Sequence, residues 1–263
     1  MNGILIAVIT VAAIGLIAGI ILTLASHFMA VEVDETVVKI RECLPGANCG
    51  ACGYAGCDEY AEKVAGRFAK LTLCIPGGKK AADDMAAVLG VEAGDVKEMR
   101  AMVRCCGNHE TSKDVMDYQG SKTCSACFSF FRGHKECSYG CMGFGDCVEV
   151  CKFDAITIDN GVARVDSELC TGCGACAKVC PGHVIEMVPK NSRTCVACAS
   201  HNKGAQTRKM CTSGCIGCMK CQKTCKHGAI VVIENLAVVD PSLCVNCGEC
   251  AEVCPVGCIK IFA

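Results

Sequence analysis

The chain has 263 residues, a formal net charge of −1 and 29 cysteines, with 5% aromatic residues and no tryptophan. The nearly balanced charge gives no overall field toward nucleic acid, so no nucleic-acid partner is expected. So high a cysteine content is typical of a secreted disulfide scaffold or of metal ligation in a reducing compartment. The odd total and the tight spacing, with two or three residues between cysteines, favour metal ligation.

The first predicted element is a membrane-spanning helix. Ile4 to Met29 contains no formally charged residue, and His27 is its only ionisable side chain. This run is long enough to cross a bilayer as one tilted helix, with membrane lipid around it; a buried core helix is the alternative. A cleaved signal peptide would need basic residues before the run, and Met1-Asn2-Gly3 has none.

The residues after the run indicate the orientation of the anchor. Lys39 and Arg41 follow it, among Glu32, Asp34 and Glu35, whereas the N-terminal flank has no basic residue. The positive-inside rule then predicts a single-pass protein of the cell (inner) membrane with its body on the cytoplasmic side. Reduced thiolates also require that compartment.

The next feature is a cysteine-rich module. Cys49, Cys52 and Cys57 lie in the glycine-rich segment NCGACGYAGC, and Cys74 would return to them after a helix predicted near Asp58–Lys70. Glycine turns allow three thiolates to converge. The four cysteines predict one [4Fe–4S] cluster, with a structural zinc site as the alternative.

The rest of the chain contains an internal repeat. Shifted by 74 residues, the sequence matches itself without a gap, so that nine cysteines fall on nine others. The first nine are Cys124, Cys137, Cys141, Cys147, Cys151, Cys170, Cys173, Cys176 and Cys180, and the second nine are Cys198, Cys211, Cys215, Cys221, Cys225, Cys244, Cys247, Cys250 and Cys254. Such a repeat predicts two copies of one structural unit.

Each copy carries a hairpin pattern between its two cysteine runs. Ala155–Val165 alternates in polarity around Asn160-Gly161, a pair typical of a type I′ turn, and Ala229–Val239 has Glu234-Asn235 at the same place. The fold class predicted is therefore α+β: one N-terminal transmembrane helix, a small cysteine-rich [4Fe–4S] domain, and tandem units like bacterial 2[4Fe–4S] ferredoxins.

The second copy matches the bacterial ferredoxin cysteine run, in which three cysteines hold one cluster and the fourth crosses to the other. Four evenly spaced thiolates with a crossed fourth give no reason to expect zinc. The predicted sets are Cys215, Cys218, Cys221 and Cys254 for one cluster, and Cys244, Cys247, Cys250 and Cys225 for its neighbour.

The first copy has one intact set and one interrupted set. The intact set is Cys151, Cys170, Cys173 and Cys176. In the other, Phe144 stands where the repeat has Cys218, and Cys137 is the predicted substitute. That set becomes Cys137, Cys141, Cys147 and Cys180, the alternative being a lost cluster.

The predicted total is about five [4Fe–4S] clusters, held by 20 of the cysteines. Nine cysteines are left over. A further centre remains open, for example one formed by Cys105 or Cys106 with Cys124 and Cys127. Cys195, Cys198 and Cys211 are equally unassigned, and lone buried cysteines are usually inert.

Together, the N-terminal helix, the NCGACGYAGC…CIPGG module, the ECSYGCMGFGDC stretch and the ferredoxin repeats resemble the B subunit of the Rnf ion-translocating electron transport complex. The resemblance covers nearly the whole chain. Lys152 and Lys226 depart from the ferredoxin pattern, which usually has proline there; this departure concerns the local turn and not the ligands.

The resemblance implies an electron-transfer component without a catalytic site of its own. It would relay electrons between soluble reduced ferredoxin and the other membrane and peripheral subunits, and the complex would couple ferredoxin:NAD+ oxidoreduction to Na+ or H+ transport. An iron–sulfur subunit of another membrane reductase, such as one reducing a redox-sensing regulator, is the alternative, as is a metal-binding scaffold without electron transfer. No GxGxxG follows a strand and there is no P-loop, so no flavin or nucleotide is expected here.

We expect five segments along the chain: an anchor (1–29), a [4Fe–4S] domain (30–95), a connecting region (96–136), and two ferredoxin-like units (137–190 and 191–263). The two units would receive electrons, and the Cys49–Cys74 cluster near the anchor would pass them to membrane partners. A basic group around Lys63, Arg67 and Lys79 could attract an acidic partner or simply be a solvated helix face.

Overall fold

The computed structural model describes residues 2–28 and 34–262. Its first helix, α1 (Asn2–Phe28), matches the predicted anchor. The window Val8–Ala25 is apolar, and none of it is buried against the rest of the protein. A helix that is apolar on every face and uncovered suits a bilayer better than a protein core. Met29, the predicted end of the anchor, and Glu32 in its flank lie outside the described residues.

Three short helices form the next domain, around one small core in which Ile40, Tyr60 and Met85 are fully buried. The helices are α2 (Glu35–Glu42), α3 (Cys57–Ala65) and α4 (Gly78–Leu89), with a 3-10 turn at Leu71–Leu73. Asp34 caps the first of them, since its Oδ1 accepts the backbone N–H of Thr36 at 2.8 Å.

Helix α3 is shorter than the helix predicted near Asp58–Lys70. It ends at Ala65, and Gly66 and the left-handed Arg67 (φ 61°) then turn the chain. The Tyr60 hydroxyl donates to the carbonyl of Lys70 at 2.7 Å. This bond returns the turned segment to α3 and places Cys74 next to the helix start.

The first ferredoxin-like unit, called unit 1, contains two antiparallel strand pairs and three helical turns. Its elements are β1 (Met99–Val103), α5 (Cys124–Phe128), α6 (Asp146–Glu149), β2 (Ile156–Asp159), β3 (Val162–Val165), α7 (Ala175–Val179) and β4 (Ile185–Pro189). Strand β1 pairs with β4, and β2 pairs with β3. Strand β1 thus comes from the predicted connecting region 96–136 but pairs with the end of unit 1.

Unit 2 repeats this arrangement. Its elements are β5 (Thr194–Val196), α8 (Gly204–Met210), α9 (Lys220–Thr224), β6 (Ile230–Ile233), β7 (Leu236–Val239), α10 (Glu249–Glu252) and β8 (Ile259–Ile261). Strand β5 pairs with β8, and β6 pairs with β7. The two cores match at 74-residue spacing: Ile156, Val162 and Ile185 are buried in unit 1, and Ile230, Leu236 and Ile259 in unit 2.

Both predicted hairpins are confirmed. Ile156 pairs with Val165 in unit 1, and Ile230 with Val239 in unit 2. The turn residues Asn160 and Gly161 have φ values of 45° and 76°, and Glu234 and Asn235 have 47° and 67°. Two consecutive positive φ angles are the type I′ geometry, whose twist matches that of paired strands. The α+β class with two related units is confirmed as well.

Upstream of Cys137 the structural repeat departs from the gapless sequence match. The N–H of Arg104 donates to the carbonyl of Val184, and that of Ala197 donates to Cys258, both at 2.7 Å. Val184 and Cys258 are 74 residues apart, so β1 in unit 1 takes the place of β5 in unit 2. Cys105 is therefore the structural counterpart of Cys198.

The sequence match of Cys124 with Cys198 is thus not a structural equivalence. Cys124 begins α5, whereas Cys198 follows strand β5. Unit 1 carries an insertion, because Cys137 lies 32 positions after Cys105 but Cys211 lies only 13 after Cys198. Cys124 lies within that longer segment.

Candidate metal centres

The structure brings the four cysteines of the N-terminal module together. Burial raises the pKa of the Cys74 thiol; the N–H of Gly77 opposes this shift, and the nearby thiols of Cys57, Cys49 and Cys52 add to it. Asn48 fixes the loop that carries three of them, because its Oδ1 accepts the N–H of Cys57 at 2.8 Å. The four predicted ligands therefore lie near one another around the start of α3.

In unit 2 both crossed sets are also brought together. Burial raises the pKa of Cys221 to about 11, and the thiols of Cys215, Cys218 and Cys254 contribute to the shift. The other set surrounds a cavity of about 360 Å³. The cysteines that line this cavity are Cys225, Cys244, Cys247 and Cys250.

The intact set of unit 1 has the same arrangement. Burial raises the pKa of Cys176 to about 11, and the neighbouring thiols of Cys170, Cys173 and Cys151 contribute. Strand β1 also reaches this site, since the N–H of Ala101 donates to the Cys170 sulfur at 3.4 Å. N–H donors to a ligand sulfur are among the groups that tune the potential of such centres.

The interrupted set of unit 1 differs from the prediction. A cavity of about 370 Å³ is lined by Cys141, Cys147 and Cys180 together with Cys124, and Cys137 lines a different cavity. Burial raises the pKa of Cys147 to about 12, and Cys141, Cys124 and Cys180 are among the thiols that contribute. The structure therefore places Cys124, and not Cys137, in one cavity with Cys141, Cys147 and Cys180.

Phe144 explains why the fourth cysteine comes from elsewhere. Its ring contacts Tyr118 and His134 at centroid distances of 5.8 and 5.4 Å, and Lys122 Nζ lies 5.7 Å from the ring centroid. All three partners belong to the inserted segment. The residue that replaces a ligand thus packs against the segment that supplies Cys124.

Asp146 holds Cys124 in place. Its Oδ1 accepts the N–H of Cys124 at 2.6 Å, and its Oδ2 accepts the N–H and hydroxyl of Ser125 at 3.0 and 2.9 Å. Burial acts to raise the pKa of Asp146, but these donors overcome it and hold the pKa below its usual value. Asp146 is therefore an ionised cap on α5 next to Cys147.

These cavities suit a metal cluster because of their buried thiols and because the backbone closes tightly around them. Several buried thiols that raise one another's pKa become thiolates together only beside a compensating positive charge. The hairpin turn closes each unit: a Cβ on Gly143 would lie 2.5 Å from the carbonyl oxygen of Gly161, and one on Gly217 would lie 2.9 Å from that of Asn235. Both glycines have positive φ, so the cysteine loop approaches the turn closely only with glycine there.

Adjacent sites lie close to one another. Burial is the largest cause of the raised pKa of Cys173. The thiol of Cys49, in the N-terminal module, also raises it, together with those of Cys151 and Cys170. Lys152, at the position where ferredoxins usually have proline, donates from Nζ to the carbonyl of Ala47 at 3.2 Å. The N-terminal site therefore neighbours the intact set of unit 1.

The structure does not bring Cys105 or Cys106 together with Cys127, as the example of a further centre suggested by the sequence would require. Cys127 is fully buried and contacts His134 Nδ1 at 3.4 Å, away from Cys105 and Cys106. Cys195 packs with Met102 and Val188 in a small apolar cluster. The Cys258 sulfur lies 3.7 Å from that of Cys254.

Family models match three regions of the chain. Residues 44–76 match the family described as "Putative Fe-S cluster", residues 163–186 match "4Fe-4S binding domain", and residues 214–258 match "4Fe-4S dicluster domain". With the cysteine-lined cavities, these matches define an iron–sulfur protein of the [4Fe–4S] ferredoxin class with an additional N-terminal iron–sulfur module.

Relatives that match most of the chain identify the family. The chain is 40% identical to the B subunit of the Na(+)-translocating ferredoxin:NAD(+) oxidoreductase complex of Acetobacterium woodii, over 91% of this chain and 72% of the relative. It is 36% identical to the B subunit of the ion-translocating oxidoreductase complex of Methanosarcina acetivorans, over 91% of this chain and 92% of that one. It is also 40% identical to the B subunit of the proton-translocating ferredoxin:NAD(+) oxidoreductase complex of Clostridium ljungdahlii, over 92% of this chain and 86% of the relative. The chain belongs to this family of B subunits, which confirms the resemblance found in the sequence.

Proposed function

We propose that this chain relays single electrons between a reduced soluble ferredoxin and the other subunits of an ion-translocating oxidoreductase complex. The observation that carries the proposal is the series of cysteine-lined sites from the N-terminal module through both units. Bound [4Fe–4S] clusters would supply one-electron redox chemistry at these sites. The names of the relatives support NAD as the partner redox couple and Na+ or H+ as the transported ion.

The proposed ligands differ from the sequence prediction at one position. Five sets of four cysteines hold five clusters, and Cys124 replaces Cys137 in the second set of unit 1. The protein contributes the distances between sites and the N–H donors and burial around each sulfur. These features set the potentials without an acid or base catalyst.

The proposed placement is a single-pass anchor in the cell membrane with the metal sites on the cytoplasmic side. The uncovered α1 supports the anchor, and Lys39 and Arg41 after it support the orientation. The N-terminal module is connected directly to the anchor and neighbours unit 1 through Cys49 and Cys173. It is therefore the proposed exit toward membrane partners, and the two units receive electrons from ferredoxin.

The test uses the intact complex with Cys49→Ser in this chain. We expect ferredoxin still to reduce the clusters of both units, as seen by electron paramagnetic resonance (EPR), while reduction of the membrane partners falls at least tenfold. Cys43→Ser is the matched control, because Cys43 lies in the same domain and its thiol hydrogen-bonds to the carbonyl of Lys39. Normal electron delivery in Cys49→Ser would refute the proposed exit, and a wild-type chain without reducible [4Fe–4S] signals would refute the carrier function.

A further inference from the structure

Five of the nine cysteines that lie outside the five sets line one cavity between the two units. The cavity measures about 400 Å³. Its cysteines are Cys105, Cys106, Cys137, Cys198 and Cys211. Cys105, Cys198 and Cys211 are each less than 9% exposed, so this is an enclosed group of thiols and not a surface feature.

Four of these cysteines form two equivalent pairs. Cys137 and Cys211 are related by the 74-residue repeat, and Cys105 and Cys198 are counterparts because each follows the strand that pairs with the end of its unit. Each unit therefore contributes the same two positions to the shared cavity. Two cysteines from each of two units give the four thiols that a four-thiolate site requires.

Two of these sulfurs accept hydrogen bonds from backbone N–H groups, as ligand sulfurs in iron–sulfur sites do. The N–H of Cys141 donates to the sulfur of Cys105 at 3.4 Å, and the N–H of Cys215 donates to that of Cys198 at 3.3 Å. Cys141 and Cys215 are repeat counterparts whose own thiols belong to the neighbouring cluster sites. In each unit, a cysteine of the shared cavity is thus hydrogen-bonded to a residue proposed as a ligand of the adjacent cluster site.

Cys106 is set apart from the other four. Its sulfur donates to the carbonyl of Ser213 at 3.2 Å, a bond that requires the protonated thiol. The sulfur of Cys105 instead accepts the N–H of Cys141, a bond that a metal-bound sulfur can also accept. The geometry therefore separates the two adjacent cysteines into a ligand and a spare thiol.

A buried cation lies beside the cavity. Lys135 is 7% exposed, and its Nζ donates to the carbonyls of Gly107 and Gly161 at 2.9 and 3.3 Å. Among the described residues no carboxylate forms an ion pair with it, and a buried charge requires a compensating one. Gly107 lines the shared cavity, so an anionic four-thiolate centre there would place negative charge near this cation, as would the neighbouring site that contains Cys141.

We infer that Cys105, Cys137, Cys198 and Cys211 hold a sixth [4Fe–4S] cluster, which bridges the two units. The inference rests on the proposed function, since it assumes that the chain carries such clusters. The cavity volume of about 400 Å³ is close to the 360 and 370 Å³ of the cavities in the ferredoxin-like sets. A zinc ion bound by four thiolates at about 2.3 Å would need a smaller cavity than a cluster, because a zinc site contains no inorganic sulfide.

The experiment counts metal in the full-length chain purified in detergent without oxygen. We expect about 24 iron atoms and as many acid-labile sulfides in the wild type, four for each of six clusters. In the double variant Cys137→Ala/Cys211→Ala both numbers should fall by about four, and the integrated EPR signal of the fully reduced protein by about one sixth. The control Cys106→Ala should retain all the iron, although its thiol lines the same cavity.

Three outcomes would overturn the inference: undiminished iron in the double variant, about one zinc per chain that the double variant loses, or equal iron loss in Cys106→Ala. A loss limited to about four irons also shows that the remaining sites have folded. The second pair, Cys105→Ala/Cys198→Ala, must give the same loss. A wild type with five clusters refutes only the sixth site, whereas a wild type without [4Fe–4S] clusters refutes the proposed function itself.

Discussion

Unit 1 and unit 2 have the same hairpin and the same crossed cysteine pairs, yet each completes one cavity with a cysteine from a different place. Unit 2 uses Cys218, within the local run, whereas unit 1 has Phe144 there and takes Cys124 from an insertion. The units differ again beside the crossing cysteine, where unit 2 has Cys258 and unit 1 has Val184. A cluster site therefore requires four sulfurs close together in space, and the fourth cysteine can come from different segments of the chain.

The largest effect is expected at Cys124. Cys124→Ala should remove one cluster, about four iron atoms per chain, because the cavity keeps only three thiols. Metal analysis with EPR measures the loss. Cys127→Ala, three residues further on in the same helix, is the control and should retain the iron.

The comparison with unit 2 provides a rescue for the same site. Phe144→Cys, added to Cys124→Ala, places a thiol where unit 2 has Cys218, so the lost iron should return. If Cys124→Ala keeps a full iron complement while Cys137→Ala loses this cluster, the ligand set predicted from the sequence is right and the revised one is wrong.

A smaller, asymmetric effect is expected at the crossing cysteines. The sulfur of Cys258 lies 3.7 Å from that of Cys254, so it can replace the missing ligand in Cys254→Ala. In Cys180→Ala the corresponding neighbour is Val184, which has no sulfur. We expect Cys180→Ala to lose about four irons and Cys254→Ala to keep its cluster with an altered EPR spectrum. Equal losses in the two variants would show that Cys258 does not act as a reserve ligand.

The smallest effect is expected at Asp146, which positions Cys124 without being a ligand. Asp146→Ala removes three hydrogen bonds to Cys124 and Ser125, and changes of this kind usually cost about 10–100-fold in metal affinity. Iron release from one cluster to a chelator should be faster by that order, while the iron content at purification stays the same. Lys220→Ala, at the repeat position in unit 2, should release iron at the wild-type rate.

Local sequence signals predicted the parts of this protein that depend on neighbouring residues. The hairpins follow from Asn160-Gly161 and its counterpart Glu234-Asn235, since turn chemistry acts over four residues. The cysteine runs likewise place three of four ligands through spacing alone, and the uncharged N-terminal run predicted α1.

The sequence and the structure differ where distant segments meet. Cys137 was predicted as a ligand because it is four residues from Cys141, but proximity along the chain does not determine which cavity a side chain enters. The pairing of β1 with β4 joins residues more than 80 positions apart, and the insertion shifts Cys124 off its sequence match. The contacts of Phe144 with Tyr118 and His134 cannot be found from spacing, although an aromatic residue at a ligand position marks a site worth checking.

The equivalent pairs in the shared cavity also suggest how the chain arose. One unit alone carries two of the four positions, a half-site that closes only against another copy of the same half-site. With the proposed sixth site, a single ancestral unit would have completed it by pairing with a second molecule of itself, and gene duplication would then have joined the two halves in one polypeptide. The insertion before Cys137 was compatible with this history because it left both pairs facing each other.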